Sequence, residues 1–190
     1  MDVFSKLFRR WIDLEELTVF FRKNQRFLRN NIFFDGYTLK EVILNAYKEA
    51  TSFRSDFTRY YWNQRNGKHP DLDDRFTLLN KRTNRDDLKR EMYGHSQDIQ
   101  KMTSVFRLYA IKIPSEKEGG SAAYIIIGGG IKLTDSMQEM KELNRELQRF
   151  ELVQRWLEHN HISTKEQLIE YQSKNAENTN DRMGETGSNN

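Results

Sequence analysis

Two apolar runs stand close together in a charged chain: VFRLYAIKI at 105–113 and SAAYIII at 121–127. The first alternates imperfectly between apolar and polar residues and reads as a strand. The second is apolar enough for the middle of a sheet. Only the charged stretch from Pro114 to Gly120 separates them, and so short a link favours antiparallel pairing. A small antiparallel sheet around 105–127 is therefore the element that the rest of the chain must be built around.

Helical patterns flank it. Asp13 and Glu16 form a capping pair for a helix over 14–29, with Leu17, Phe21, Asn24 and Leu28 near helical spacing. IFFDGY at 32–37 reads as a short strand-like run ending in an Asp-Gly turn. Thr38 and Glu41 make a clearer capping box. From there Leu39, Ile43, Ala46, Ala50, Phe53, Phe57 and Tyr60 recur every three or four residues, which predicts a long amphipathic helix to about Tyr61. NGKHPD at 66–71 is a loop, and a short helix carrying Leu72, Phe76 and Leu79 follows. Residues 80–101 are highly charged and fit either a surface helix or an irregular loop.

After the sheet, Ser136 and Glu139 cap a helix whose stripe is Met140, Leu143, Leu147, Phe150 and Val153, with Trp156 and Leu157 close by. Ser163 and Glu166 start a last helix that turns Leu168 and Ile169 inward. The fold class is thus α+β: a helical N-terminal half, a small antiparallel sheet, then C-terminal helices. A chain of 190 residues is expected to form a single domain over 1–171, with 1–65 as a helical subdomain. The polar stretch 172–190 is expected to be a disordered tail.

Composition limits the chemistry. With no cysteine, disulfides, iron–sulfur clusters and zinc–thiolate sites are excluded. No stretch approaches the ~20 apolar residues of a membrane span, and the N-terminus lacks an apolar signal core. A cytoplasmic protein with no membrane partner is the expectation. Apolar residues make up only 36% of the chain, but aromatics reach 12% and can carry the burial that aliphatics would otherwise supply. The net charge of +3 permits nucleic-acid binding without requiring it. Basic residues concentrate in 1–30, with seven Lys/Arg against four Asp/Glu, and again from Lys81 to Arg90.

The second apolar run continues into YIIIGGGIKLT at 124–134. A phosphate-cradling loop of Walker type needs GxxxxGK[ST], but Ile131 separates Gly130 from Lys132 and Leu133 separates Lys132 from Thr134. A dinucleotide fingerprint spaces its glycines differently and follows an early strand. The glycines are instead expected to serve a tight turn or a bulge at a sheet edge.

Lys132, just past them, lies one hairpin away from Arg107, Tyr109 and Lys112, and Arg107 and Tyr109 share a strand face. Such a surface can hold a phosphate backbone and stack a base. RNA cleavage by 2′-OH attack needs a base, an acid and cations on the phosphorane, and no metal or cofactor. Arg107 and Lys132 are the candidate cations; Tyr109, Tyr93 and His95 are the candidate proton-transfer groups. Lys89, Arg90, Tyr93, His95 and Lys112 are the candidate RNA contacts. The alternative reading is that Tyr109 packs in the core and the cations are solvated.

VFRLYAIKI, then YIIIGGGIKLT, then a helix of alternating charge resembles the C-terminal part of the RelE-like toxins, and most closely the phage-type branch also described as HigB-like. The resemblance covers about residues 76–157. It implies a compact fold that cleaves mRNA, usually on the ribosome, and is neutralised by a cognate antitoxin. It also implies that Arg107 matches the arginine of the first strand and Lys132 the lysine after the second.

Metal chemistry has weaker support. Asp71 with Asp87-Leu88-Lys89 fits the spacing of metal-dependent nucleases, but those ligands sit on adjacent strands. His159 and His161 fall at a helix end without a partner set. No metal is expected. Two readings remain: a metal-free endoribonuclease using Arg107 and Lys132, and a non-catalytic protein of the same shape that binds a protein or nucleic acid.

Overall fold

The computed structural model describes residues 2–29, 34, 36–79, 88–94, 104–134 and 140–185. Helix α1 (Val3–Trp11) starts at Asp2, whose side chain accepts the Ser5 N–H at 2.8 Å. Asp13 does the same for α2 (Leu14–Lys23), accepting from Glu15 and Glu16. The single helix expected over 14–29 is broken at Asn24, whose amide donates to the Phe20 carbonyl at 2.9 Å, and α3 (Gln25–Arg29) begins anew. A side chain that bonds the preceding turn competes with the helix's own ladder.

Helix α4 (Leu39–Arg65) has the full Thr38–Glu41 capping box. It presents Val42, Ala46, Ala50, Phe53, Phe57 and Tyr60 to the core. Of the IFFDGY stretch, residues 32, 33 and 35 lie outside the described residues. The short helix α5 (Leu72–Arg75) ends sooner than expected, and the chain passes into strand β1 (Thr77–Leu78).

The remaining strands are β2 (Lys89–Tyr93), β3 (Phe106–Ile113) and β4 (Ala123–Ile131). They form an antiparallel sheet in the order β1-β2-β3-β4. The α+β architecture expected from the sequence is the one observed. Two expectations change. Residues 89–93, read as helix or loop, are a strand between β1 and β3, while residues 80–87 and 95–101 lie outside the described residues. β4, read as central, is an edge strand. Its apolar character comes from helices on both faces, not from neighbours on both sides.

Trp11 of α1 lies against Phe106 on one face of the sheet, ring centroids 5.0 Å apart. Phe150 of α6 (Lys141–His159) lies against Tyr109 on the other at 6.0 Å. Phe8, Phe53, Leu108, Ile111 and Leu143 are almost completely buried in one continuous core, each contributing about 1.5–3 kcal/mol by burial. The candidate cap at Ser136 and Glu139 lies outside the described residues; the residue before α6 is Met140, which makes no side-chain cap. In α7 (Lys165–Glu185) Leu168 is buried, but Ile169 points to solvent, against expectation. This helix continues through 172–185, where composition alone gives disorder.

The glycine run makes no turn. Gly128 to Gly130 lie inside β4, opposite Tyr109, Leu108 and Arg107. The register slips just before them: Tyr109 faces Gly128 while Ala110 faces Ile126, leaving Ile127 as a bulge. The expected bulge at a sheet edge is present, and the glycines have a second cause. A Cβ on Gly129 would sit 2.5 Å from the Arg107 carbonyl and 2.9 Å from Trp11. On the other face, Cβ atoms at Gly128 and Gly130 would overlap Glu146 and Leu143 of α6. Helices press on this strand from both sides.

Candidate functional site

Alternation puts Arg107 and Tyr109 on the α6 face of β3, and their cross-strand partners Tyr93 and Glu91 join them there. The four side chains form one cluster, but it is closed. Arg107 is only 6% exposed. Its guanidinium lies over the Tyr93 ring, 4.0 Å from the centroid, and Nη1 donates to the carbonyls of Phe106 (2.9 Å) and Ser104. Burial lowers its pKa from the usual arginine value, against the opposing pull of Tyr93 and Glu91. Tyr109 is fully buried, and its hydroxyl has no partner among the described residues. Burial raises its pKa, with the Glu91 charge adding to the effect.

Tyr93 donates to Glu91 at 2.5 Å. Burial, then that bond, pushes its pKa up to about 12. Neither tyrosine is poised to take a proton near neutrality. At the start of β3, Ser104 donates to Glu49 of α4. Burial raises the Glu49 pKa, and the Ser104 bond and Arg107 charge oppose that rise.

The other sequence candidates are scattered. Lys132 follows β4, its N–H donating to the Val105 carbonyl at 2.7 Å, and its side chain is half-buried. Lys89 shares the Arg107 face, whereas Arg90 points to the opposite one and donates to the Lys89 carbonyl at 3.0 Å. Lys112 also lies on the opposite face and pairs with Asp73 at 2.6 Å, where the Tyr124 hydroxyl donates as well. His95 lies outside the described residues, as does Asp87 of the metal-type spacing.

Among the described residues, the donors closest to metal-ligand spacing are His69, Asp71 and Asp74, whose ligand atoms lie within 4.8 Å of one another. Asp71 and Asp74 use their oxygens to cap α5, and His69 Nδ1 sits 3.3 Å from Asp74. That bond, then the Asp71 charge, raises the His69 pKa. Helix capping accounts for the grouping.

What the sequence reading missed is a cleft of about 880 Å³ beside β4. Phe4 of α1, Phe57, Tyr61, Trp62 and Arg65 of α4, Tyr124 and Ile126 of β4, and Lys165 of α7 line it. Although aromatics were expected to carry the burial, Tyr61 and Trp62 are 44% and 51% exposed. The Arg65 guanidinium lies 5.4 Å from the Trp62 ring centroid. The available signal was YYW at the end of the α4 stripe, where two of three consecutive aromatics must leave a helix's buried face.

The floor of the cleft is the sheet edge. β3 pairs Ile111 with Ile125 and Ile113 with Ala123. Lys132 donates to Val105, so the odd-numbered residues of β3 bond to β4. Tyr124 and Ile126 therefore turn their N–H and C=O groups away from β3. Just before β4 begins the edge is already in use: the Ala122 carbonyl accepts from Gln64 Nε2 at 2.7 Å, and the Ser121 carbonyl from Lys165 Nζ at 3.1 Å.

Among the described residues no helix is long and apolar enough to cross a membrane. No family model matches the chain, and no curated protein or solved structure matches it.

Proposed function

We propose that this protein binds rather than cuts, and that its ligand is an extended segment of a partner polypeptide laid along β4 in the aromatic cleft. The observation that carries this reading is the outward edge at Tyr124 and Ile126, which has no main-chain partner among the described residues and borders a cleft of about 880 Å³. An added strand takes its affinity from main-chain bonds to such an edge and its specificity from pockets for alternate side chains. Phe4, Phe57, Tyr61 and Trp62 suit apolar side chains, and Arg65 and Lys165 against the single Asp2 favour an acidic residue beside them.

The test is selection from a random nine-residue peptide display library, followed by binding of the selected peptides to the full chain. The enriched sequences are expected to alternate apolar residues with at least one Asp or Glu. Trp62→Ala should weaken them at least about tenfold, with the Tyr124 and Ile126 amides shifting on binding. Equal enrichment on wild type and Trp62→Ala would sink the proposal.

The gathering of Glu91, Tyr93, Arg107 and Tyr109 on one face motivates a second reading, the toxin-like ribonuclease, which requires that closed cluster to open to RNA. Inducible expression with primer extension on host mRNAs separates the two. New mRNA ends that vanish in soluble Lys132→Ala would establish cleavage. Intact messages leave the binding reading standing.

A further inference from the structure

We infer that the glycine run builds a second site, one for a compact phosphate-type oxyanion. Past the Ile127 bulge the same parity applies. Gly130 and Lys132 face β3 with their amides, so Gly129 and Ile131 turn theirs outward. The outward N–H of Leu133, which reaches Met140 Sδ at 3.4 Å, fits the same phase. Here the edge meets a separate cavity of about 220 Å³ that contains Gly129, Gly130 and Ile131. Gly129 and Gly130 bring main chain to this wall at the strand edge, while Trp11 and Leu143 fill the space above and below it.

Three arginines reach the cavity from two helices: Arg10 from the last turn of α1, and Arg145 and Arg149 one turn apart on α6. Two carboxylates also line it, and each holds one arginine. Glu16 lies 3.8 Å from Arg10, and the buried Glu146 accepts from Arg149 Nη1 at 2.8 and 3.1 Å. Arg145 makes no ion pair among the described residues. Three positive charges against two negative leave an excess of one, carried by an arginine whose fork is unused among the described residues. Trp11, Leu17 and Phe20 form the apolar remainder of the wall, while the three arginines are themselves exposed and would reach an anion through charge-assisted bonds. The volume suits an anion of phosphate size and is below the usual range for a nucleotide-sized ligand, which begins near about 300 Å³.

The inference is independent of the peptide reading, because the cavity shares no lining residue with the larger cleft. It is tested on the full chain by calorimetry and thermal shift with inorganic phosphate and with a phosphoserine peptide, at ionic strength matched with chloride. Saturable binding of one equivalent is expected, weakened at least about tenfold in Arg145→Ala. Arg155→Ala, whose residue pairs with Glu151 elsewhere on α6, should bind like wild type. A phosphoserine peptide that binds more tightly than free phosphate would identify a modified side chain as the source; the reverse would identify the free ion. Stabilisation no greater than that given by chloride, or undiminished binding in a folded Arg145→Ala, overturns the inference.

Discussion

Gly129 leaves no room for a methyl group, because one of the atoms it would meet is main chain that cannot swing aside. Gly129→Ala is expected to cost about 1–3 kcal/mol by overpacking in urea denaturation. Gly128→Ala should cost less, since the Glu146 side chain can move. Arg107 and Lys132 should part in the same assay. Arg107→Ala removes charge-assisted bonds worth about 1.5–3 kcal/mol in total, whereas Lys132→Ala should stay within about 0.5 kcal/mol. Equal losses would contradict a buried Arg107. Glu49 makes the pH prediction. Its folded pKa lies above the ordinary 4.5, so the folded state holds the proton more tightly. Its contribution is complete below that value and is lost as pH rises through the raised pKa. Glu49→Gln should therefore flatten the fall in stability as pH rises above the ordinary carboxyl value of 4.5. Glu146, also raised by burial, keeps some of the slope.

Elements were legible where their signals are local. Thr38, Glu41 and the stripe that follows define α4 without help from the rest of the chain, and Thr38→Ala should cost about 1 kcal/mol in thermal or urea unfolding. The strand pair was legible for the same reason: the apolar run, the link and the second run are contiguous. β2 was not, because KREMY carries its reason for being a strand in the neighbours it bonds, Thr77–Leu78 and Arg107–Ile111. α1 was missed because VFSKLFRRW looks like a basic segment until Phe8 and Trp11 find Phe53 and Phe106. The candidate site followed the same division. Parity in the sequence placed Arg107 beside Tyr109. Their burial depends on α6 covering that face, and no spacing within 105–113 carries that information. Tyr61 and Trp62 failed in the opposite direction, since aromatic character was taken as burial where both rings stay exposed.

At the scale of the molecule, one sheet is held between α1 and α4 on one face and α6 on the other, and the described side chains beyond Tyr171 add little to that arrangement. Tyr171 still touches Trp156, with ring centroids 5.3 Å apart, but residues 172–176 are exposed. A chain ending at Tyr171 is expected to keep its unfolding free energy within about 0.5 kcal/mol; a larger drop would show that the end of α7 is part of the stable fold. The bulge at Ile127 has a consequence at this scale too. An apolar edge nine residues long is a ready template for a second copy of the same chain. One extra residue shifts the strand's phase by half a repeat. Ile125 and Gly128 come to the same face, and the outward amides before and after no longer fall on a common two-residue grid. A straight strand from another molecule can zip along either length but not through both. The chain carries its own stop against edge-to-edge growth of the sheet, written as a miscount of one.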